Sequence, residues 1–193
     1  MCTERLDCYL RGGRPPGGVR THPGCRDPSP PVSSAPVTLP GALYFATESA
    51  VWSGGRAFLD PDAEGRTPAL AHLLTVGQFS DLAAQEMGRP VGVDLDLEAL
   101  LGSADRARLG PGRYETLVRV GVLAGVPMLT FTAPWGLATH PGNPPAAAYL
   151  RTLGAGLMGG HGWSAERAAA YLAGRPGASE WWTPTTVRRL LAG

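Results

Sequence analysis

The stretch LAHLLTVGQFSDLAAQEMG, Leu70–Gly88, decides how the rest of the chain is read. Leu70–Val76 is an apolar run of strand length, and the residues after it change period. From Gly77 onward, Phe79, Leu82, Ala83 and Glu86 fall on one side at helical spacing, while Ser80, Asp81, Ala84 and Gln85 fall elsewhere. A strand that passes straight into one short helix, with further strands on either side, predicts a mixed fold rather than a bundle or a sandwich. The helix also carries an irregularity: Glu86 stands where the stripe asks for a leucine. Three readings are open. The helix end has already reached the surface, with Arg89 as a local partner; or Glu86 belongs to a buried ion pair; or it is a carboxylate held at the edge of a pocket. In the third case desolvation would raise its pKa toward neutrality and let it take and return a proton.

Working upstream, GALYFAT (Gly41–Thr47) reads as a strand. VWSGGRAFLDP (Val51–Pro61) reads as a turn and a short strand, with Gly54 and Gly55 at a bend or bulge. The run from Gly12 to Gly41 reads as loop. Its glycine pairs lack the G-K-[ST] and following helix of a phosphate-binding loop. TERLDCYL, residues 3–10, reads as a helix in which Thr3 caps and Leu6, Tyr9 and Leu10 share a face. Downstream, Arg89–Gly112 is a charged insertion with one helical turn near Leu97–Leu101. RYETLVRVG then alternates, putting Tyr114, Thr116, Val118 and Val120 on one face, and GVPMLTFTA (Gly125–Ala133) is its hairpin partner. Two or three helices close the chain. Asn143 caps the first, with Pro144 in its first turn and a stop at Gly159-Gly160. Ser164 caps AERAAAYLAG, and Thr183 with Pro184 opens PTTVRRLLAG after the Trp181-Trp182 anchor. The predicted class is α+β: one small mixed or antiparallel, barrel-like sheet with helices packed outside it, in a single domain spanning residues 1–193.

Composition narrows the function classes. The 193 residues are 44% apolar and 17% charged with a formal charge of +1, so no basic excess points to nucleic acid. No apolar run approaches the roughly 20 residues of a membrane helix. The N-terminus is polar from its second residue, unlike a signal peptide. Three cysteines without a C-x-x-C argue against a disulfide framework and for a reducing, cytoplasmic setting. Four scattered histidines with no close pair predict no protein metal site.

The order of these motifs resembles that of the γ-glutamyl cyclotransferase family. The correspondence runs through SAVWSGGRAF (Ser49–Phe58), LAHLLTV, QFSDLAAQEMG, GRYETLVRV, GVPMLTFT, PPAAAYLRTLGAGL and HGWSAERAAAYLAG, and covers most of residues 1–174. The resemblance implies that Glu86 is the catalytic carboxylate and that Tyr114 and Tyr149 line the substrate pocket. It implies that no metal or organic cofactor is used and that the partner is a small-molecule γ-glutamyl amide. The reaction it implies is an intramolecular acyl transfer. The substrate's α-amine, deprotonated by Glu86, attacks its own side-chain amide, closes a five-membered ring and releases 5-oxoproline and an amine. Trp52, Gly54 and Gly55 are expected to be structural.

Two departures from the family stand out. Family members open with a strand and Y-G-S-N, whose backbone N–H groups hold the γ-glutamyl group; this chain begins at MCTER, just after that point. The expectation is a natural start roughly 10 to 15 residues upstream, one strand plus the motif, which the intact mass of the native protein would check. The second departure is the insertion at residues 89–113, which separates Glu86 from Tyr114. Two other functions stay open: an amide hydrolase or deacylase on the same scaffold, with water as nucleophile, or a non-catalytic binding module. A zinc-dependent deacetylase fits less well, because no clustered His/Asp ligand set is visible.

Overall fold

The switch of period after Leu70–Val76 is real, and it is enforced at the joint. In the computed structural model, which describes residues 3–102 and 104–193, strand β4 (Arg66–Leu73) ends two residues before Thr75, the N-cap of helix α2 (Val76–Met87). Thr75 Oγ1 accepts from the Gln78 N–H at 3.1 Å and Gln78 Oε1 accepts from the Thr75 N–H at 3.1 Å. This reciprocal capping satisfies two of the donors a helix start leaves open, worth about 1 kcal/mol. Gly88 closes the helix in a left-handed conformation. The reading that turns on Met1 as an internal start lies outside the described residues.

The elements run α1 (Thr3–Arg11), β1 (Ser33–Pro40), β2 (Ala42–Ala46), β3 (Arg56–Asp60), β4, α2, α3 (Leu97–Leu101), β5 (Arg106–Arg108), β6 (Thr116–Leu123), β7 (Val126–Thr132), α4 (Ala147–His161), α5 (Ala165–Ala173) and α6 (Pro184–Ala192). The class is α+β. The barrel-like single sheet is not found: among the described residues the strands form three separate antiparallel sheets, β1-β4, β2-β3 and β5-β6-β7, and none closes. Where ladders would have joined them, side-chain hydroxyls do. Thr132 Oγ1 on β7 donates to the Leu59 carbonyl on β3 at 2.6 Å, and Thr67 Oγ1 on β4 donates to the Gly41 carbonyl before β2 at 2.9 Å.

Other boundaries move for identifiable reasons. β1 falls in the proline-rich run expected to be loop. It pairs only with β4, from Ser33 opposite Leu73 to Pro40 opposite Arg66, so its other edge has no ladder to lose to Pro36. The β6–β7 hairpin turns through Ala124 and Gly125, both at positive φ, the two-residue turn that matches strand twist. Tyr114 is not on the strand; it sits in the turn before β6. Helix α4 starts three residues later than expected, because Asn143 does not cap it: its Nδ2 donates to the Thr47 carbonyl at 2.7 Å instead. The expected stop at Gly159-Gly160 is passed, and α4 ends at His161 with Gly162 as its left-handed cap.

Three groups of buried side chains hold this together. Phe45 of β2 packs with Leu150 of α4, Leu172 of α5 and Val187 of α6, all at most 1% exposed. Leu6, Tyr9 and Leu10 of α1 meet Leu82 of α2. Tyr44 and Phe58 of the β2-β3 pair meet Ala133. Truncating any of the largest would cost about 2–5 kcal/mol. Among the described residues no helix is long and apolar enough to cross a membrane.

Candidate functional site

Helices α1 and α2 pack side by side, so residues one turn apart on α1 face the end of α2. Arg5 and Tyr9 are such a pair, and Glu86 is in the last turn of α2. Tyr9 donates its hydroxyl hydrogen to Glu86 Oε1. Arg5 Nη2 donates to the Tyr9 hydroxyl at 3.1 Å and lies 3.6 Å from Glu86 Oε1. The Arg5 and Glu86 side chains are only 14% and 13% exposed. The irregularity in the stripe is therefore not a frayed end, and Arg89 is not its partner; Arg89 pairs with Glu115. Burial, reinforced by the Glu86 charge, pushes the Tyr9 phenol above its ordinary pKa, so it keeps the proton it donates. Burial lowers the Arg5 guanidinium, but Tyr9, Tyr149 and Glu86 together outweigh it and the net shift is upward.

Aromatic rings complete the enclosure of Arg5. Its Cζ lies 5.3 Å from the Tyr149 ring centroid and 5.7 Å from those of Trp52 and Tyr9, each contact worth about 0.5–2 kcal/mol. Trp52 stacks on Tyr149 with centroids 5.3 Å apart. Ser49 fixes the Trp52 turn, its Oγ accepting from the Val51 and Trp52 N–H groups at 3.2 and 3.1 Å. Tyr114 stacks on Phe58 at 5.0 Å and donates its hydroxyl to the Ala57 carbonyl at 3.1 Å. Burial, then Tyr149 and Glu86, raise its pKa.

These side chains line one cavity of about 400 Å³. The structure brings Glu86, Tyr114 and Tyr149 together on it although they come from α2, the turn before β6 and α4. It adds residues the sequence reading did not single out for the site: Arg5, Tyr9, Arg20, Arg56 and Arg113. A signal for the first two was present, since an arginine one helical turn before a tyrosine on an apolar face invites a buried partner. Trp52, read as structural, is also on the wall. The chain between β5 and β6 reaches the cavity through Pro111, Gly112 and Arg113.

The charge of the cavity is lopsided. Its two carboxylates are both engaged, Glu86 by Arg5 and Tyr9 and Glu115 by Arg89 and the Gly112 N–H. Among the described residues, Arg20, Arg56 and Arg113 appear in no ion pair. Arg56 Nε is buried with no hydrogen-bond acceptor. Burial and the neighbouring Arg113 charge lower its pKa. Among the described residues, no group of three or more His, Cys, Asp or Glu side chains is gathered as a metal ion would need.

No family model matches the chain, and no solved structure matches it. Over 190 residues the chain is 35% identical to histone deacetylase 5 of Arabidopsis thaliana, a similarity that covers 89% of this chain and 29% of that protein. The chain thus spans less than a third of the length of the curated relative it matches. These findings overturn the γ-glutamyl cyclotransferase resemblance and the lyase or acyltransferase class drawn from it: the relative carries the name of a deacetylase, and no family model supports the cyclotransferase assignment.

Proposed function

We propose that this chain is a small-molecule-binding unit whose cavity takes a compact ligand bearing a carboxylate. The observation that carries the reading is Arg56: a guanidinium on the cavity wall, its Nε buried and without an acceptor. It is near the Arg113 charge and in no ion pair among the described residues, with the Glu86 charge reaching it only in part against burial and Arg113. An orphaned buried donor is costly, and a cation pressed by a second cation more so; an anion entering between them satisfies both. Glu86 is already neutralised by Arg5, so a ligand anion meets a net positive wall. The aromatic rings of Trp52, Tyr114 and Tyr149 supply the apolar faces usual in such sites.

Calorimetry with N-acetylglycine and its neutral analogue N-acetylglycinamide tests this. The acid is expected to bind and the amide not to, with binding weakened by salt. Arg56→Gln should lower the affinity for the acid about tenfold, the scale of one charge-assisted hydrogen bond. Equal binding of acid and amide would sink the reading.

A further inference from the structure

Behind the Arg5–Glu86 pair lies a second cavity, of about 220 Å³. It shares Arg5, Glu86, Tyr114 and Tyr149 with the first, so these four side chains stand between the two, and a ligand that fills both must pass them. Beyond them the lining changes in kind. Leu43, Leu70, Phe131, Leu153, Leu157 and Leu172 line it. Tyr171 also lines it, with its hydroxyl buried and without a hydrogen-bond partner among the described residues, whereas three other polar side chains are turned to the backbone. Thr67 Oγ1 donates to the Gly41 carbonyl at 2.9 Å, Thr152 Oγ1 donates to the Ala148 carbonyl at 3.1 Å, and His161 Nε2 bonds the Ala69 carbonyl at 2.9 Å. The chamber offers a ligand hydrocarbon contact on one side and a carboxylate acceptor, Glu86, at its mouth.

We infer that the two cavities hold one ligand, a straight-chain N-acyl amino acid. Its carboxylate sits among Arg20, Arg56 and Arg113, its amide N–H donates to Glu86 between the two cavities, and its acyl chain fills the leucine-lined chamber. This rests on the carboxylate reading above and adds the class of molecule. The order of groups along such a ligand matches the order of linings: cationic, acceptor, apolar. At about 30 Å³ for each water-sized group, the chamber has room for roughly seven chain atoms.

The test is calorimetry on the 193-residue chain with N-acetyl-, N-butanoyl-, N-hexanoyl- and N-octanoylglycine. Each methylene moved from water into the chamber should tighten binding about fourfold, until the chain outgrows it near seven or eight carbons. Gly156 lies on the α4 wall of the chamber. Gly156→Leu, checked for folding by thermal melting, should bring the octanoyl-to-acetyl affinity ratio close to one. If the acetyl compound binds and the series is flat, the acyl-chamber inference is overturned while the carboxylate reading stands. If the slope survives Gly156→Leu in a folded variant, the chain lies elsewhere and the inference is likewise overturned. If no member of the series binds, both fall.

Discussion

At the residue scale, Glu86 is the position where pattern and packing disagree. A helix stripe that runs Phe79, Leu82, Ala83 asks for an apolar side chain next, and the structure answers with a carboxylate that two groups of α1 bind. Glu86→Gln keeps an oxygen for Tyr9 but leaves Arg5 without its counter-charge. We expect it to cost about 1–3 kcal/mol in urea unfolding. A surface glutamate at a frayed end would change stability by less than about 0.5 kcal/mol, so a result in that range would restore the surface reading. A double-mutant cycle with Arg5→Met should return a favourable coupling. The sequence showed that Glu86 was out of place but not why, because its partners are 77 and 81 residues away along the chain. Asp81 was less legible still. Expected off the stripe, it is fully buried, because the loop from Arg26 and the chain at Gly92 cover the side of α2 that a one-faced pattern leaves to solvent.

At the scale of elements, that carboxylate is what fastens α2 to its surroundings. Asp81 Oδ2 accepts from the Arg26 N–H at 2.8 Å and from Arg26 Nε at 3.0 Å, and Oδ1 accepts from the Gly92 N–H at 3.0 Å. Burial alone would raise its pKa, but the hydrogen bonds from Arg26 and Gly92 prevail and hold it below the ordinary carboxylate value. The sign of the linkage follows. Since the folded pKa is below the unfolded value of about 3.9, the stabilisation is fully present above that pH and is lost as pH falls through the folded pKa. Asp81→Asn should therefore melt below the wild type by the largest margin between about pH 5 and 7, a margin that narrows below about pH 4. A margin that stays constant down to pH 3 would show that the ionised form is not what stabilises α2. The elements with caps or period were legible: α5 and α6 start at the serine and threonine read as their caps, and α2 at the change of period, although its cap, Thr75, was read into the strand. β1 was not, since its proline content hides an edge strand from any propensity argument.

At the scale of the whole molecule, the cavity exists because the β2-β3 pair and the entry to α4 touch backbone to backbone. The Gly55 N–H donates to the Pro144 carbonyl at 2.8 Å and the Phe45 N–H to the Pro176 carbonyl at 2.8 Å, so the pair is held by the chain before α4 and by the connection between α5 and α6. A sequence reading could place two glycines at a bend. It could not see that a Cβ on Gly55 would run into the Asn143 carbonyl oxygen. Nor could it see that three sheets are stitched by threonine hydroxyls where a barrel was expected, because such bonds carry no periodicity. The close approach makes a definite prediction. Gly55→Ala must push residues 143–146 away from β3, which carries Arg56, and with them the start of α4, which carries Tyr149. Overpacking of this kind costs about 1–3 kcal/mol, and it also widens the gap between Arg56 and the aromatic wall. Gly55→Ala should thus lower the melting temperature and weaken N-acetylglycine binding together. Gly159→Ala, on α4 where a Cβ meets nothing within 4 Å, should leave the binding intact and raise helix stability by about 1 kcal/mol or less. If Gly55→Ala destabilised the fold with no loss of affinity in the fraction that remains folded, the cavity would not depend on this contact, and the clamp would be a matter of stability alone.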